Sequence, residues 1–289
     1  MEGFLVSKTL FSACELGVFE RLQGSQLSAS DLALALGCSE DGTERLLNTC
    51  VSLELLTTNT DPHGTVLYSN TEMSSMFLIK SSPTSLYQSI EYSSRTIYLC
   101  WHHLSDAVRE GKNQYEKAFG VKSEDLFEAM YRSEEEMVKF MHLMNSIWNI
   151  CGRDVITAFD LSPFRCICDL GGCSGALAKQ CVSAFPESTV TIFDLPKVEV
   201  CCWWRFCCMR ITVCVCVCAG GGVLLVEVLL YEDNSGPLTA QLYSLNMLVQ
   251  TEGRERKASD YSRLLSSAGF THIQIHNTGK IYDAILACK

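Results

Sequence analysis

Residues 165–175 read Arg165-Cys166-Ile167-Cys168-Asp169-Leu170-Gly171-Gly172-Cys173-Ser174-Gly175. The first six make a short strand, apolar enough to be buried, and the next five a glycine-rich turn. A helix follows over about 176–185, then a second strand over 188–193 closed by Asp194-Leu195-Pro196. Strand, glycine loop, helix, strand and terminal acid form one unit of a doubly wound α/β sheet. Glycines let the backbone turn tightly and approach a ligand without a Cβ in the way. The carboxylate of Asp194, 19 residues after Gly175, stands where both hydroxyls of a ribose can be accepted.

Two features choose between ribose-bearing cofactors. The loop does not spell G-x-G-x-x-G, so the dinucleotide fingerprint fails. Asp169 directly precedes Leu170 and the first glycine, where an acid repels a pyrophosphate but tolerates a cationic sulfonium and its amino group. The loop therefore points to S-adenosylmethionine. The distal end agrees. An apolar strand over 220–230, helices over 237–250 and 259–268, and strands over 272–275 and 282–287 add a terminal hairpin to the sheet, as methyltransferases do and dehydrogenases do not.

Ahead of this unit, residues 4–22 place Phe11, Cys14, Val18 and Leu22 on one helical face. Ser30 opens a short helix over 31–36 that Gly37 stops. A third helix covers about 43–56, and 57–70 forms a hairpin about Asp61-Pro62-His63-Gly64. Three helices and a hairpin make a winged helix. The third helix carries Glu44, Arg45 and Glu54 rather than a basic stripe, so its broad apolar faces suit burial against a second copy of the chain, not DNA. The expected division is a dimerisation domain at 1–82, a helical connector at 83–150 that lines the substrate pocket, and a catalytic domain at 151–289.

Composition narrows the partners. A net charge of -10 disfavours nucleic acid and anionic membranes. No long uncharged apolar run or signal-peptide pattern occurs, which gives a cytoplasmic expectation. Of 17 cysteines, ten are scattered singly, as small buried hydrophobes of an intracellular protein are.

Several long segments resemble the acetylserotonin O-methyltransferase family, whose product is melatonin. They are Ala13-Cys14-Glu15-Leu16-Gly17-Val18-Phe19, Asp169-Leu170-Gly171-Gly172, Phe193-Asp194-Leu195-Pro196, the run 242–253 (LYSLNMLVQTEG) and the ending 281–287 (IYDAILA). The resemblance covers about 3–200 and 220–289. It implies an N-terminal homodimerisation domain and a Rossmann-like catalytic domain. Tyr131 and Trp148 would then contact S-adenosylmethionine, with Gly171 in its loop and Asp194 on its ribose. Asn246 and Gln250 would hold the indole substrate beside Met247, with Tyr92 and Trp101 as aromatic walls. Glu255 would orient the catalytic base. Cys173 departs from the family pattern, which favours glycine there.

One stretch breaks the resemblance. The family's general base is a histidine followed by aspartate, and no His-Asp pair occurs among the six histidines here. In its place stands 201–219, CCWWRFCCMRITVCVCVCA. Only 25 residues separate Asp194 from Gly220, too few for two strands and two parallel crossovers. The expectation is a missing central strand that leaves the edge of the first strand unpaired, little or no turnover, and weakened cofactor affinity. Three readings of the segment stand: a cysteine-rich metal site, a natural variant with an altered core, or translated intron. Val-Cys-Val-Cys-Val-Cys is what a GTGTGT repeat encodes, which favours the last. A messenger that encodes the segment without a splice junction excludes it. The first two, if real, leave a second function open: a catalytically dead dimerisation partner.

Overall fold

The computed structural model describes residues 2–121, 129–194 and 221–289 in full and 213–217 as backbone. The chain divides into two compact units, Met1–Thr96 and Ile97–Lys289. The stretch 83–150, expected as a separate connector, is thus shared between them.

In the first unit, helix α1 (Gly3–Leu16) ends at Gly17, whose φ of +82° reverses the chain into α2 (Val18–Arg21). Ser28, rather than the expected Ser30, caps α3 (Ala29–Leu36): its hydroxyl accepts the Asp31 N–H at 3.1 Å. Ser30 instead bonds the Ser28 hydroxyl. Helix α4 (Glu40–Ser52) packs on α3, and β2 (Leu56–Thr60) pairs antiparallel with β3 (Val66–Asn70). The two-residue β1 (Leu27–Ser28) adds to the far edge of β3. Ala13, Val18, Phe19, Leu32, Leu47 and Cys50 fill the core. This is the winged-helix arrangement expected.

The second unit is built on a six-stranded sheet of order β5-β4-β6-β7-β9-β8. Strand β4 (Cys166–Leu170) runs parallel to β5 (Thr189–Phe193), joined by α11 (Ala176–Ala184). Strand β7 (Gly222–Glu227) is buried at every position, as its apolar run Val223–Val226 requires, with Glu227 a buried acid at its end. The terminal hairpin of β8 (Thr271–His276) and β9 (Asp283–Cys288) docks β9 against β7. On one face Trp148, Val155 and Ile156 of α10 (Glu134–Ile156) meet Leu177 and Leu224. On the other, Tyr261 and Leu265 of α13 (Ala258–Ser267) cover Val223 and Ile285. Lys257 occupies the cap position of α13, so the helix begins just before the expected 259, and the Ser259 hydroxyl is taken by Glu232.

The expectation of an unpaired β4 edge is corrected here. Strand β6 (Val213–Val217) lies between β4 and β7, antiparallel to both. The physical reason is connection length. A parallel neighbour needs a crossover of a dozen or more residues, whereas an antiparallel one needs only a turn. The backbone gaps of the sheet are therefore closed, but by a strand of reversed direction. The rest of 201–219, on which the metal-site reading depends, lies outside the described residues.

Candidate functional site

The glycine loop sits at the C-terminal end of β4, where ligands of open α/β sheets bind. Gly171, at φ +72°, donates its N–H to the Phe193 carbonyl at 2.7 Å and so ties the loop to β5. The Gly175 N–H closes the turn onto Gly172 O at 2.7 Å. Space here is short. A Cβ on Gly172 would stand 2.7 Å from the Asp169 carboxyl, and one on Gly175 2.6 Å from Ile192 Cδ1. Gly175 also holds φ +79°. Gly175→Ala is expected to cost about 2–3 kcal/mol, from the left-handed penalty plus overpacking. Urea denaturation of the two proteins measures it.

Cys173 adopts φ +50°. A left-handed residue with a Cβ costs about 1–2 kcal/mol relative to glycine. Its N–H donates to Asp194 Oδ2 at 2.6 Å. Its side chain packs with Tyr131 against Met137 and Met141. Of the expected cofactor residues, Asp194 thus holds the loop, and Tyr131 packs on the same two methionines as Cys173. Ser174 bonds Asn145 of α10, a contact the sequence did not signal.

Asp169 is the chemically unusual member. It is 2% exposed, and neither carboxylate oxygen finds a hydrogen-bond partner among the described residues. Burial and then the nearby Asp194 charge push its acid up to about 7, with the Ala178 amide pulling the other way. A buried acid in that state fits a cationic ligand better than an anionic one. The crowded glycines, the free acid and Asp194 together fit the nucleoside and sulfonium end of S-adenosylmethionine. Trp148 is placed differently from the loop residues. It is 6% exposed within the core cluster, its ring 5.4 Å from that of Tyr282.

A second constellation surrounds α12 (Leu238–Thr251). Asn246 Oδ1 accepts from Trp101 Nε1–H at 2.8 Å and from Gln250 Nε2–H at 2.7 Å. The buried Gln250 in turn accepts from the Tyr115 hydroxyl at 3.3 Å. The four-residue spacing therefore does put both amides on one face. Tyr115 joins them, although nothing in its sequence context marks it, and the Asn246 carbonyl is already doubly engaged. Met247 is half-buried next to Gly253, at whose Cβ position its terminal methyl would stand 3.0 Å away. Tyr92, fully buried, belongs to the first unit.

Glu255 follows α12, its N–H donating to Ser244 Oγ at 3.3 Å. Both line a cavity of about 690 Å³ with Leu230, Arg256 and Lys257. Burial lifts its acid to about 7, against the pull of Arg256. The titratable groups that sense it are Glu227, Tyr243, Tyr261 and Tyr282. No histidine is among them, so no imidazole stands ready for Glu255 to orient among the described residues. No helix among those residues is long and apolar enough to cross a membrane.

The chain matches an O-methyltransferase dimerisation domain over residues 1–80 and an O-methyltransferase domain over 101–206 and 207–271. It is 52% identical to acetylserotonin O-methyltransferase of Gallus gallus and 46% to that of Homo sapiens, in each case over 99% of the chain and 95% of the relative. The crystal structure of human N-acetylserotonin methyltransferase in complex with SAM superposes with a TM-score of 0.93 at 45% identity, covering 100% of this chain and 95% of that one. The Gallus gallus alignment spans 329 positions, whereas this chain has 289 residues, so at least 40 positions have no residue of this chain opposite them.

Proposed function

The chain belongs to the acetylserotonin O-methyltransferase family, and from that membership we propose that it binds S-adenosylmethionine and methylates the hydroxyl of N-acetylserotonin to give melatonin, slowly, for want of a general base. The observation that carries this reading is the orphaned, buried Asp169 under a loop with no room for a Cβ at Gly172 or Gly175, a loop joined to Asp194 through the Cys173 amide. S-adenosylmethionine, when bound, supplies an electrophilic methyl group.

The rest of the work falls to the chain's own residues. Asp194, which accepts the Cys173 amide, is the acid that would meet the ribose hydroxyls. Tyr131, beside Cys173, offers an aromatic wall at the same loop. The Asn246–Gln250–Trp101 network holds the amide side chains in fixed orientations, leaving the Asn246 NH₂ as a donor for an acetamide carbonyl. Such pre-set geometry lowers the cost of aligning hydroxyl and methyl donor. Removal of the phenolic proton is what the chain lacks. A phenol ionises near 10, so little oxyanion exists at pH 7. Without a positioned base the step loses about 10²–10⁴-fold.

The first unit serves as a homodimerisation module in this reading. Its matched domain supports that, as do Leu34, Phe4 and Leu5, which are 85%, 59% and 55% exposed. Partners are then a second copy and a small indole, and the setting is the cytoplasm. Isothermal titration with S-adenosylmethionine tests the premise: saturable binding is expected, with slow label transfer to N-acetylserotonin above a no-enzyme blank. Absence of any binding would reject the reading. Binding without transfer would instead favour a catalytically dead dimerisation partner.

A further inference from the structure

We propose that Asp169 is the counter-charge by which the chain tells the cationic methyl donor from its neutral, demethylated product, and that it gives up a proton to solvent when the donor binds. The inference rests on the S-adenosylmethionine reading above and assigns a specificity role within that site.

Asp169 is the penultimate residue of β4, in register with Ile192 of β5 and Val215 of β6. Almost wholly buried, it has neither oxygen paired among the described residues. Among the described residues the ionisable groups facing it are Asp194 beyond β5 and Cys181 on α11; both are acids, and neither supplies a positive charge. The Cys181 thiol is itself pushed up to about 11, by burial first and then by the Asp169 charge. A carboxyl in such a place is held protonated by two effects of the same sign, loss of water and a like charge. Gly172 lies close to it, with the space of a missing Cβ between. A ligand that brings positive charge to the loop is thus the one partner that makes ionisation favourable.

The donor and its product differ by one methyl and one charge. The sulfonium becomes a thioether, while ammonium, carboxylate and adenosine are unchanged. Any proton release that the donor shows and the product lacks therefore reports the sulfonium. The free acid titrates at about 7, so near that pH about half the chains carry the proton. Donor binding then expels about half a proton at pH 7, and its affinity weakens by about tenfold from pH 8 to pH 6. Product affinity, lacking the sulfonium, stays nearly level apart from the ammonium contribution common to both.

The experiment is calorimetric titration of the full chain with S-adenosylmethionine and, separately, S-adenosylhomocysteine. It runs at pH 6, 7 and 8 in two buffers of different ionisation enthalpy. The expected result is a net release of about half a proton at pH 7 for the donor over the product. The donor-to-product affinity ratio should grow about tenfold from pH 6 to pH 8. Asp169→Asn should flatten that ratio; if the variant does not fold, the buffer comparison on the unaltered chain decides alone. Equal proton release for both ligands, or none for either, overturns the proposal while leaving cofactor binding intact. Failure of both ligands to bind overturns the cofactor reading itself and this inference with it.

Discussion

Replacing residues 201–219 by the longer corresponding stretch of the Gallus gallus relative is expected to raise N-acetylserotonin methylation by about 10²–10⁴-fold, the usual contribution of a general base. The argument is one of deletion rather than of distortion. The glycine loop, Asp194, the α12 amides and Glu255 are all present. What is lost is the His-Asp pair, in a chain that leaves at least 40 positions of the alignment to that relative unmatched. Strand β6 fills the slot in the sheet but runs antiparallel to β4 and β7. Its C-terminal end therefore pairs with Ile167, at the end of β4 remote from the glycine loop, whereas a parallel strand would end beside the loop. Glu255 is left half-buried with its acid at about 7 and, among the described residues, without a histidine among the groups it touches electrostatically. Turnover is read as labelled methyl transferred per enzyme at saturating donor and indole. A graft whose histidine is changed to glutamine separates base chemistry from simple repair of the fold. It should bind S-adenosylmethionine as well as the full graft yet transfer no faster than the unaltered chain. Equal rates for the two grafts would show that the base is not what limits the reaction.

Much of this was legible in the residues because it is local. Strand, glycine loop, helix and Asp194 lie within 30 residues, and each element carries its own signal in loop glycines, apolar runs or a terminal acid. The β8–β9 hairpin and the winged helix were readable for the same reason. Helix starts drifted by two residues where several small polar side chains compete for one cap, as at Ser28 and Ser30, or where the capping position is held by Lys257. The pairing of β6 was missed because only parallel partners were considered for a doubly wound sheet. An alternating Val-Cys run is content in either direction, and the short connection decides for antiparallel. The network of Trp101, Tyr115, Asn246 and Gln250 spans up to 145 residues of sequence, and no pattern in the chain announces such a contact. Its Asn246–Gln250 half was visible only because four residues make about one helical turn.

The stability of the chain is expected to fall as pH rises from about 4.5 to 7, by at least roughly 3 kcal/mol. Asp169, Glu227 and Glu255 are all pushed up to about 7, chiefly by burial. In the unfolded chain such acids ionise near 4. Between those values the native state binds more protons than the unfolded one, so each pH unit gained costs the folded form free energy. The loss is complete once pH passes the folded values near 7. Surface acids act in the opposite sense but elsewhere. Asp106, Glu110, Asp160 and Glu232 are held below the usual carboxylate range by Lys117, Ser162 and Ser259 partners, so their contribution is present above about 4 and lost only in stronger acid. The window from 4.5 to 7 therefore belongs to the buried acids. Urea denaturation at pH 5, 6, 7 and 8 measures the slope. Glu227→Gln should remove about a third of it, since the amide cannot ionise while its oxygen still accepts from Tyr261. S-adenosylmethionine should recover part of the loss at pH 8 by placing positive charge at Asp169, and recover less at pH 5, where that acid is already neutral. A stability that climbs with pH across this window would mean that these carboxyls are ionised and solvated in the folded chain. The buried, cation-seeking acid beneath the glycine loop would then be lost as the basis of the site.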